Sequence, residues 1–292
     1  MTKPPHASPQ RPSRRAAWLR RAAVRLAVAA VCLLPPALLR HADAQPDALP
    51  PAAQRVVYPK PVAEMEALAR TDALAFLRES LRWYEERVAC YTCRFLKTEQ
   101  RDGKLRDTET IDMKFREKPF SVYMKWVKNP SKDQEVIFVE GRYDEKAVVH
   151  PAGILGVLFR KVTLDPEGSL AMKNSRRPVT CAGMANMLRV ILPQCEEAQV
   201  NGDLRLVYLG IRDNDGRPAY VFNRILPRGK GYASHQVFIY IDRQYLLPVR
   251  TEAYLWNGEL LSHYAYNDLV LNPSLTDDDF DPDNKAYAFR LF

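Results

Sequence analysis

The pair of residues with the clearest chemical potential is Cys90 and Cys93, which enclose Tyr91 and Thr92. A Cys-x-x-Cys pair occurs in thioredoxin-like redox enzymes, in c-type haem attachment and in zinc sites. Haem attachment needs His at position 94, where this chain has Arg94, and the sequence has no second Cys or His pair for zinc. A redox pair stands at a helix N-terminus, where the dipole lowers the thiol pKa, whereas this pair opens a predicted strand.

In an extended strand, residues three apart lie about 10 Å from each other. A disulfide needs Cα atoms within about 7 Å, so Cys90 and Cys93 are not expected to bond to each other. One or both could instead bond Cys181 or Cys195 and tie the middle of the chain to the sheet. We therefore interpret the four cysteines as structural disulfide candidates, with three connectivities open.

Other residue types that support catalysis or metal binding do not form a known pattern. Outside the leader, the histidines are His150, His235 and His263. The sequence has no Gly-x-Ser-x-Gly motif to supply a nucleophile for them. The acidic run 277–283 fails as a calcium loop because Pro282 and Ala288 replace the required Gly and Glu. We predict a protein that is not an enzyme and that uses no metal or cofactor.

The net charge of +8 comes almost entirely from the first 44 residues, which hold eight of the 43 basic and one of the 35 acidic residues. The remainder of the chain carries about +1, so no basic footprint for nucleic acid is present there. A cationic stretch followed by the apolar run 26–34 and by Ala42-Asp43-Ala44 predicts a signal peptide, 1–44, cleaved after Ala44. An uncleaved anchor is the alternative, although nine apolar residues are few for a membrane span.

Export predicts a periplasmic or envelope location, where disulfides form. Residues 45–61 are rich in proline and predict a disordered linker. The remaining residues, 62–292, are predicted to form a single domain with a helical insertion at about 151–200.

The helices and strands that position these residues are visible in the sequence as changes in the spacing of apolar residues. Spacings of three and four between apolar residues predict an amphipathic helix from Val62 to Val88. Period-two alternation then predicts about five strands up to His150 and five more between Leu204 and Leu269, with Gly-containing turns such as Asp102-Gly103. Pro193 is expected to end a helix that begins near Thr180. The fold class is therefore α+β.

The last third of the chain carries a recognisable pattern. Its pieces are the strand 235–242 ending in Asp, the turn Leu247-Pro248 and the hairpin Asn257-Gly258. This pattern resembles the LolA/LolB-type lipoprotein-carrier superfamily. The pieces Tyr91–Phe95 and Pro119–Trp126 resemble an uncharacterised family of exported bacterial proteins related to it, a domain of unknown function. The resemblance implies an antiparallel half-barrel of about ten strands, with helices over an apolar concave face that holds acyl chains.

From this resemblance and the alternation we expect a hydrophobic ligand, either a lipid or an acylated lipoprotein. The strand positions expected to line its cavity are Ile111, Met113, Phe115, Val122, Met124, Trp126, Val237, Ile239, Ile241 and Leu261. The positions expected to form the helical lid are Met184, Met187, Leu188 and Ile191. The alternative is an envelope sensor or interaction module, which binds a protein partner and fills the sheet with its own side chains. A redox enzyme would require an exposed Cys90–Cys93 pair.

Overall fold

A computed structural model of the chain describes residues 62–128 and 130–289. The predicted signal peptide, 1–44, and the predicted linker, 45–61, lie outside the described residues. Within the described ranges, no helix is long and apolar enough to cross a membrane.

The first helical segment is two helices rather than the single one predicted. Helix α1 spans Val62–Thr71 and helix α2 spans Ala73–Arg87. Asp72 separates them because its side chain accepts a hydrogen bond from the backbone N–H of Ala75, at 2.9 Å, and so caps α2. Apolar spacing continues across this break, which is why the sequence alone predicted one helix.

Two further helices lie in the middle of the chain. Helix α3 spans Gly153–Leu158 and helix α4 spans Met184–Val200. The prediction that Pro193 ends a helix was wrong, because α4 continues for seven residues beyond it. Proline removes one intrahelical hydrogen bond, but Cys195 and Ala198 continue the buried face of α4, and that packing keeps the helix intact.

The described residues form twelve strands, where about ten were predicted. They are β1 Cys90–Arg101, β2 Lys104–Leu105, β3 Glu109–Arg116, β4 Ser121–Trp126, β5 Glu135–Val139, β6 Ala147–His150, β7 Val162–Leu164, β8 Arg205–Asn214, β9 Arg217–Ile225, β10 Gln236–Asp242, β11 Pro248–Tyr254 and β12 Leu260–Leu271. The two additions, β2 and β7, are two and three residues long. Strands that short cannot display a period-two pattern.

All strand pairs in the sheet are antiparallel, in the order β7-β6-β5-β4-β3-β1-β12-β11-β10-β9-β8, with β2 paired to β1. Two meanders therefore meet where β1 pairs with β12. The sheet stays open, since β7 and β8 are its edges. This arrangement confirms the predicted α+β fold, an antiparallel half-barrel.

The main core lies on the concave face, between the sheet and helices α1, α2 and α4. The ring of Phe76 on α2 packs 5.0 Å from the rings of both Tyr220 and Phe222 on β9. Ser80 donates a hydrogen bond to the backbone oxygen of Leu246 at 2.7 Å. These contacts attach α2 to the second meander.

A smaller core covers the outer face of the first meander. Tyr287, near the end of the described chain, stacks on Tyr123 with 4.0 Å between ring centroids. The carboxylate of Asp279 lies 2.7 Å from Lys114 on β3, and that of Asp277 lies 2.7 Å from Arg116. The acidic run is therefore paired with cations of the sheet, and this pairing fastens the C-terminal segment to its outer face.

Candidate ligand cavity

A cavity of about 330 Å³ lies between the concave face of the sheet and a cover made of α4 and residues 166–183. Ligand pockets generally have about 300–1,000 Å³. Ten strands, from β7 to β9 in sheet order, each contribute at least one lining residue. On the strands, the apolar and aromatic lining consists of Phe95, Ile111, Met124, Trp126, Val136, Ala147, Val149, Leu164, Val237, Ala253, Leu261, Tyr264 and Tyr266.

The residues predicted from the sequence divide into two sets. Seven line the cavity: Ile111, Met124, Trp126, Met187, Ile191, Val237 and Leu261. The other seven are packed in the core: Met113, Phe115, Val122, Met184, Leu188, Ile239 and Ile241. All fourteen residues lie on the concave side of the sheet, either in its connected core or in the cavity wall. The two sets differ in whether the helices pack directly on them or leave space above them.

The N-terminus of α4 explains this division. The hydroxyl oxygen of Tyr91 accepts a hydrogen bond from the backbone N–H of Met184 at 2.9 Å. Tyr91 also stacks on Phe115, with 4.9 Å between ring centroids. Gly183, immediately before the helix, approaches the same ring so closely that an added Cβ would lie 2.8 Å from it. Here the helix fills the concave face, and the cavity begins beyond it.

One charged pair lies at the β1–β3 side of the cavity. Lys97 and Glu109 form an ion pair at 3.0 Å, with side chains only 13% and 12% exposed. Trp126 adds a hydrogen bond from its indole N–H to the same carboxylate at 2.8 Å. The carboxylate of Glu109 is thus held by two donors and is poorly placed to act as a general base.

A second carboxylate is held by the cover. Glu99 is buried and accepts a hydrogen bond from the backbone N–H of Arg176 at 2.8 Å. Its other oxygen accepts the hydroxyl of Tyr264. Burial, with the adjacent Glu99 charge, raises the pKa of Tyr264, so this hydroxyl remains a donor. The interaction links β1 and β12 to residues 175–177 of the cover.

The opposite side of the cavity contains a residue that the sequence analysis missed. Arg224 on β9 is 1% exposed and donates to Gln194 at 2.7 Å and to Ser234 at 2.6 Å. A signal was present in the sequence. Arg224 has the same strand parity as Tyr220 and Phe222, so the alternation that places those rings inward places this guanidinium inward too.

The four cysteines among the described residues, Cys90, Cys93, Cys181 and Cys195, are free thiols. Cys93 is buried in the concave core, Cys195 is buried on α4, and Cys181 lines the cavity. Burial raises the pKa of Cys90 and Cys93, and raises that of Cys195 to about 11. This is opposite to the lowered pKa that a reactive redox thiol requires.

Metal binding also lacks a site in the part of the chain that the structure describes. There, no cluster of three or more His, Cys, Asp or Glu side chains could hold a metal ion.

Several solved structures share similarity with the chain at low identity. The Mycobacterium tuberculosis lipoprotein LppX is 14% identical, with 70% of this chain and 98% of that chain covered and a TM-score of 0.41. A LolA superfamily protein from Nitrosomonas europaea is 12% identical, with 70% and 97% covered and a TM-score of 0.30. The matched chain of the Pseudomonas aeruginosa MucA/MucB complex is 17% identical, with 72% of this chain and 60% of that chain covered and a TM-score of 0.40.

The chain thus spans about three fifths of the matched MucA/MucB chain. At these TM-scores the likenesses do not bear on ligand or activity. Comparison with curated protein sequences found no match. The model of one family, described as a protein of unknown function (DUF1571), matches residues 88–289. That range is more than two thirds of the sequence, and the chain belongs to this family of unknown function, as the N-terminal motifs predicted.

Proposed function

We propose that this protein is an exported, non-catalytic envelope protein that binds a hydrophobic ligand, a lipid or a lipoprotein acyl chain, on the concave face of its half-barrel. The observation that carries the proposal is the cavity of about 330 Å³ under α4. A well-packed interior of this kind ordinarily leaves few voids larger than a water molecule. Burial of an acyl chain there would contribute about 0.8 kcal/mol per CH₂ group.

The arrangement of charged groups supports binding rather than catalysis. Glu99 and Glu109 are both held by donors from the cavity wall. The thiols of Cys93 and Cys195 are buried, with raised pKa values. Export is supported by the leader pattern at 1–44.

The alternative is an envelope interaction module that recognises a protein partner. One observation favours it: helix α3 exposes apolar side chains, with Ile154 80% and Val157 72% exposed. Exposed apolar stretches of this kind mark contacts with other molecules.

Native mass spectrometry of the protein purified from the envelope of the expressing cell tests the proposal, followed by organic extraction of whatever is bound. We expect a mass increment that disappears on extraction and corresponds to a lipid. Ala253→Phe places a ring inside the cavity and should remove the increment. Val270→Phe, at an exposed position of β12, is the matched control and should retain it.

The outcome that contradicts the proposal is equally definite. An unliganded mass under gentle conditions, together with no uptake of a fluorescent fatty-acid probe by the wild-type protein, would favour the interaction module. Circular dichroism of both variants shows whether a lost increment reflects a filled cavity or a lost fold.

A further inference from the structure

The proposed function does not explain why a guanidinium is buried in the wall of an apolar cavity. Arg224 lies on the concave face of β9, in register with Val237 on β10 and Leu206 on β8. Both neighbours are apolar. Its exposed fraction is 1%, the lowest of any charged residue in the cavity wall, and that of Glu99 is 3%.

The hydrogen bonds of Arg224 leave its charge uncompensated. Its two acceptors, the amide oxygen of Gln194 and the hydroxyl of Ser234, are neutral. Its Nε–H has no acceptor among the described residues. Burial is the main cause that lowers the pKa of Arg224, and no described carboxylate offsets it. Arginine nevertheless stays protonated in proteins, so the cavity wall carries a buried positive charge.

Other buried charges around the cavity differ in this respect. Lys97 is paired with Glu109 at 3.0 Å, and both oxygens of Glu99 accept hydrogen bonds, whereas one N–H of Arg224 has no described acceptor. An unpaired buried charge is strongly unfavourable, whereas a guanidinium with a carboxylate or phosphate forms short, paired hydrogen bonds. Arg224 therefore has the donors and the charge for an anion, and the described residues supply no carboxylate to it.

We propose that Arg224 binds the anionic oxygens of an amphiphile, a carboxylate or a phosphate monoester, whose hydrocarbon chain occupies the apolar part of the cavity. This inference rests on the proposed function. Strands β9 and β1 are four steps apart in the sheet, or about 19 Å along its surface at about 4.8 Å per step. Val237, Ala253 and Leu261 lie between them and would contact the chain.

A set of probes with one chain and different headgroups tests the assignment. Dodecanoate, dodecyl phosphate, dodecanol and dodecyltrimethylammonium are titrated into the delipidated protein, expressed from the full chain, with binding followed by calorimetry. We expect at least one anionic probe to bind ten-fold or more tighter than dodecanol, and the cationic probe to bind most weakly. The ranking of dodecanoate against dodecyl phosphate identifies the headgroup.

Variants then assign the preference to this residue. Arg224→Met removes the charge and should give the anionic probes the dissociation constant of dodecanol, within about two-fold. Arg224→Lys keeps the charge without the planar fork and should retain only part of the preference. Arg205→Met removes an exposed arginine from neighbouring β8 and should bind like the wild type. Circular dichroism confirms that each variant is folded.

Several results would overturn the assignment. Equal affinities of the wild-type protein for anionic and neutral probes would refute it while leaving the hydrophobic cavity intact. So would a full anionic preference in folded Arg224→Met. Inorganic phosphate or acetate binding as tightly as its dodecyl counterpart would show that the ligand is a small anion and not an amphiphile. Failure of every dodecyl probe would instead contradict the proposed function itself.

Discussion

The sulfur atom of Cys93 lies inside the concave core, although the spacing from Cys90 is that of a redox motif. Both residues belong to β1, where neighbouring positions point to opposite faces. Cys90 is half-buried near the other face and donates a hydrogen bond from its thiol to the backbone oxygen of Pro273 at 3.2 Å. The two thiols therefore have different surroundings and share no reactive site.

The raised thiol pKa values predict that these cysteines react slowly with disulfide reagents. In a variant that keeps Cys93 as its single thiol (Cys32→Ser, Cys90→Ser, Cys181→Ser and Cys195→Ser), modification by a chromogenic disulfide reagent at pH 8 should be at least ten-fold slower than in the guanidinium-unfolded chain. Burial is the main cause, since it disfavours the thiolate. Rapid modification of the folded protein would contradict this and restore the redox interpretation.

The same thiols leave one prediction of the sequence open. The four described cysteines are free thiols, so a bond from β1 to Cys181 or Cys195 stays a prediction. Mass spectrometry of the exported protein after alkylation without reductant would decide it, because each disulfide protects two thiols from the added mass.

Among the elements, helix α4 determines how much of the concave face stays open. Its start at Met184 is positioned by Gly183, whose φ of +111° is a conformation that side chains other than glycine rarely adopt. The approach of this glycine to Phe115 adds a steric requirement. The helix N-terminus is thus fixed by backbone geometry and by packing at one point.

Gly183→Ala should lower the free energy of unfolding by about 2–5 kcal/mol, because positive φ strain and overpacking act together. Gly202→Ala is the matched control: Gly202 has φ of +70° with open space around it, so only the strain of about 1–2 kcal/mol applies. Urea unfolding measures both. Equal losses for the two variants would show that contact with Phe115 is unimportant.

Elements were more accessible to sequence reasoning than the cavity. Side-chain alternation is local, so the longer strands were predictable, whereas β2 and β7 were too short to show it. Whether a predicted lining residue faces the cavity or is packed in the core depends on where the contact between α4 and the sheet ends. That contact joins distant parts of the chain, so a local sequence pattern does not show it. Arg224 was missed because only apolar side chains were considered for the cavity lining, although its parity with Phe222 indicates the inside.

At the scale of the whole molecule, ligand binding in the cavity should raise the free energy of unfolding of the protein. A ligand that binds only the folded state adds RT ln(1 + [L]/Kd) to the free energy of unfolding, about 2.7 kcal/mol at a hundred-fold excess over Kd. The open sheet makes this relevant here, because ten of its strands contribute to the cavity wall. A ligand bound there would therefore couple both meanders to α4.

Removal of co-purified ligand should consequently lower the melting temperature. For a domain of 150–250 residues, each kcal/mol corresponds to about 2–4 °C, so we expect a fall of about 5–10 °C on delipidation and recovery with excess dodecanoate, measured by scanning calorimetry. Ala253→Phe, which fills the cavity, should melt at the same temperature with and without dodecanoate, while Val270→Phe should respond like the wild type. An unchanged melting temperature in the wild-type protein after verified removal of lipid would mean that the ligand does not stabilise the fold, and that the half-barrel is held by its own side chains.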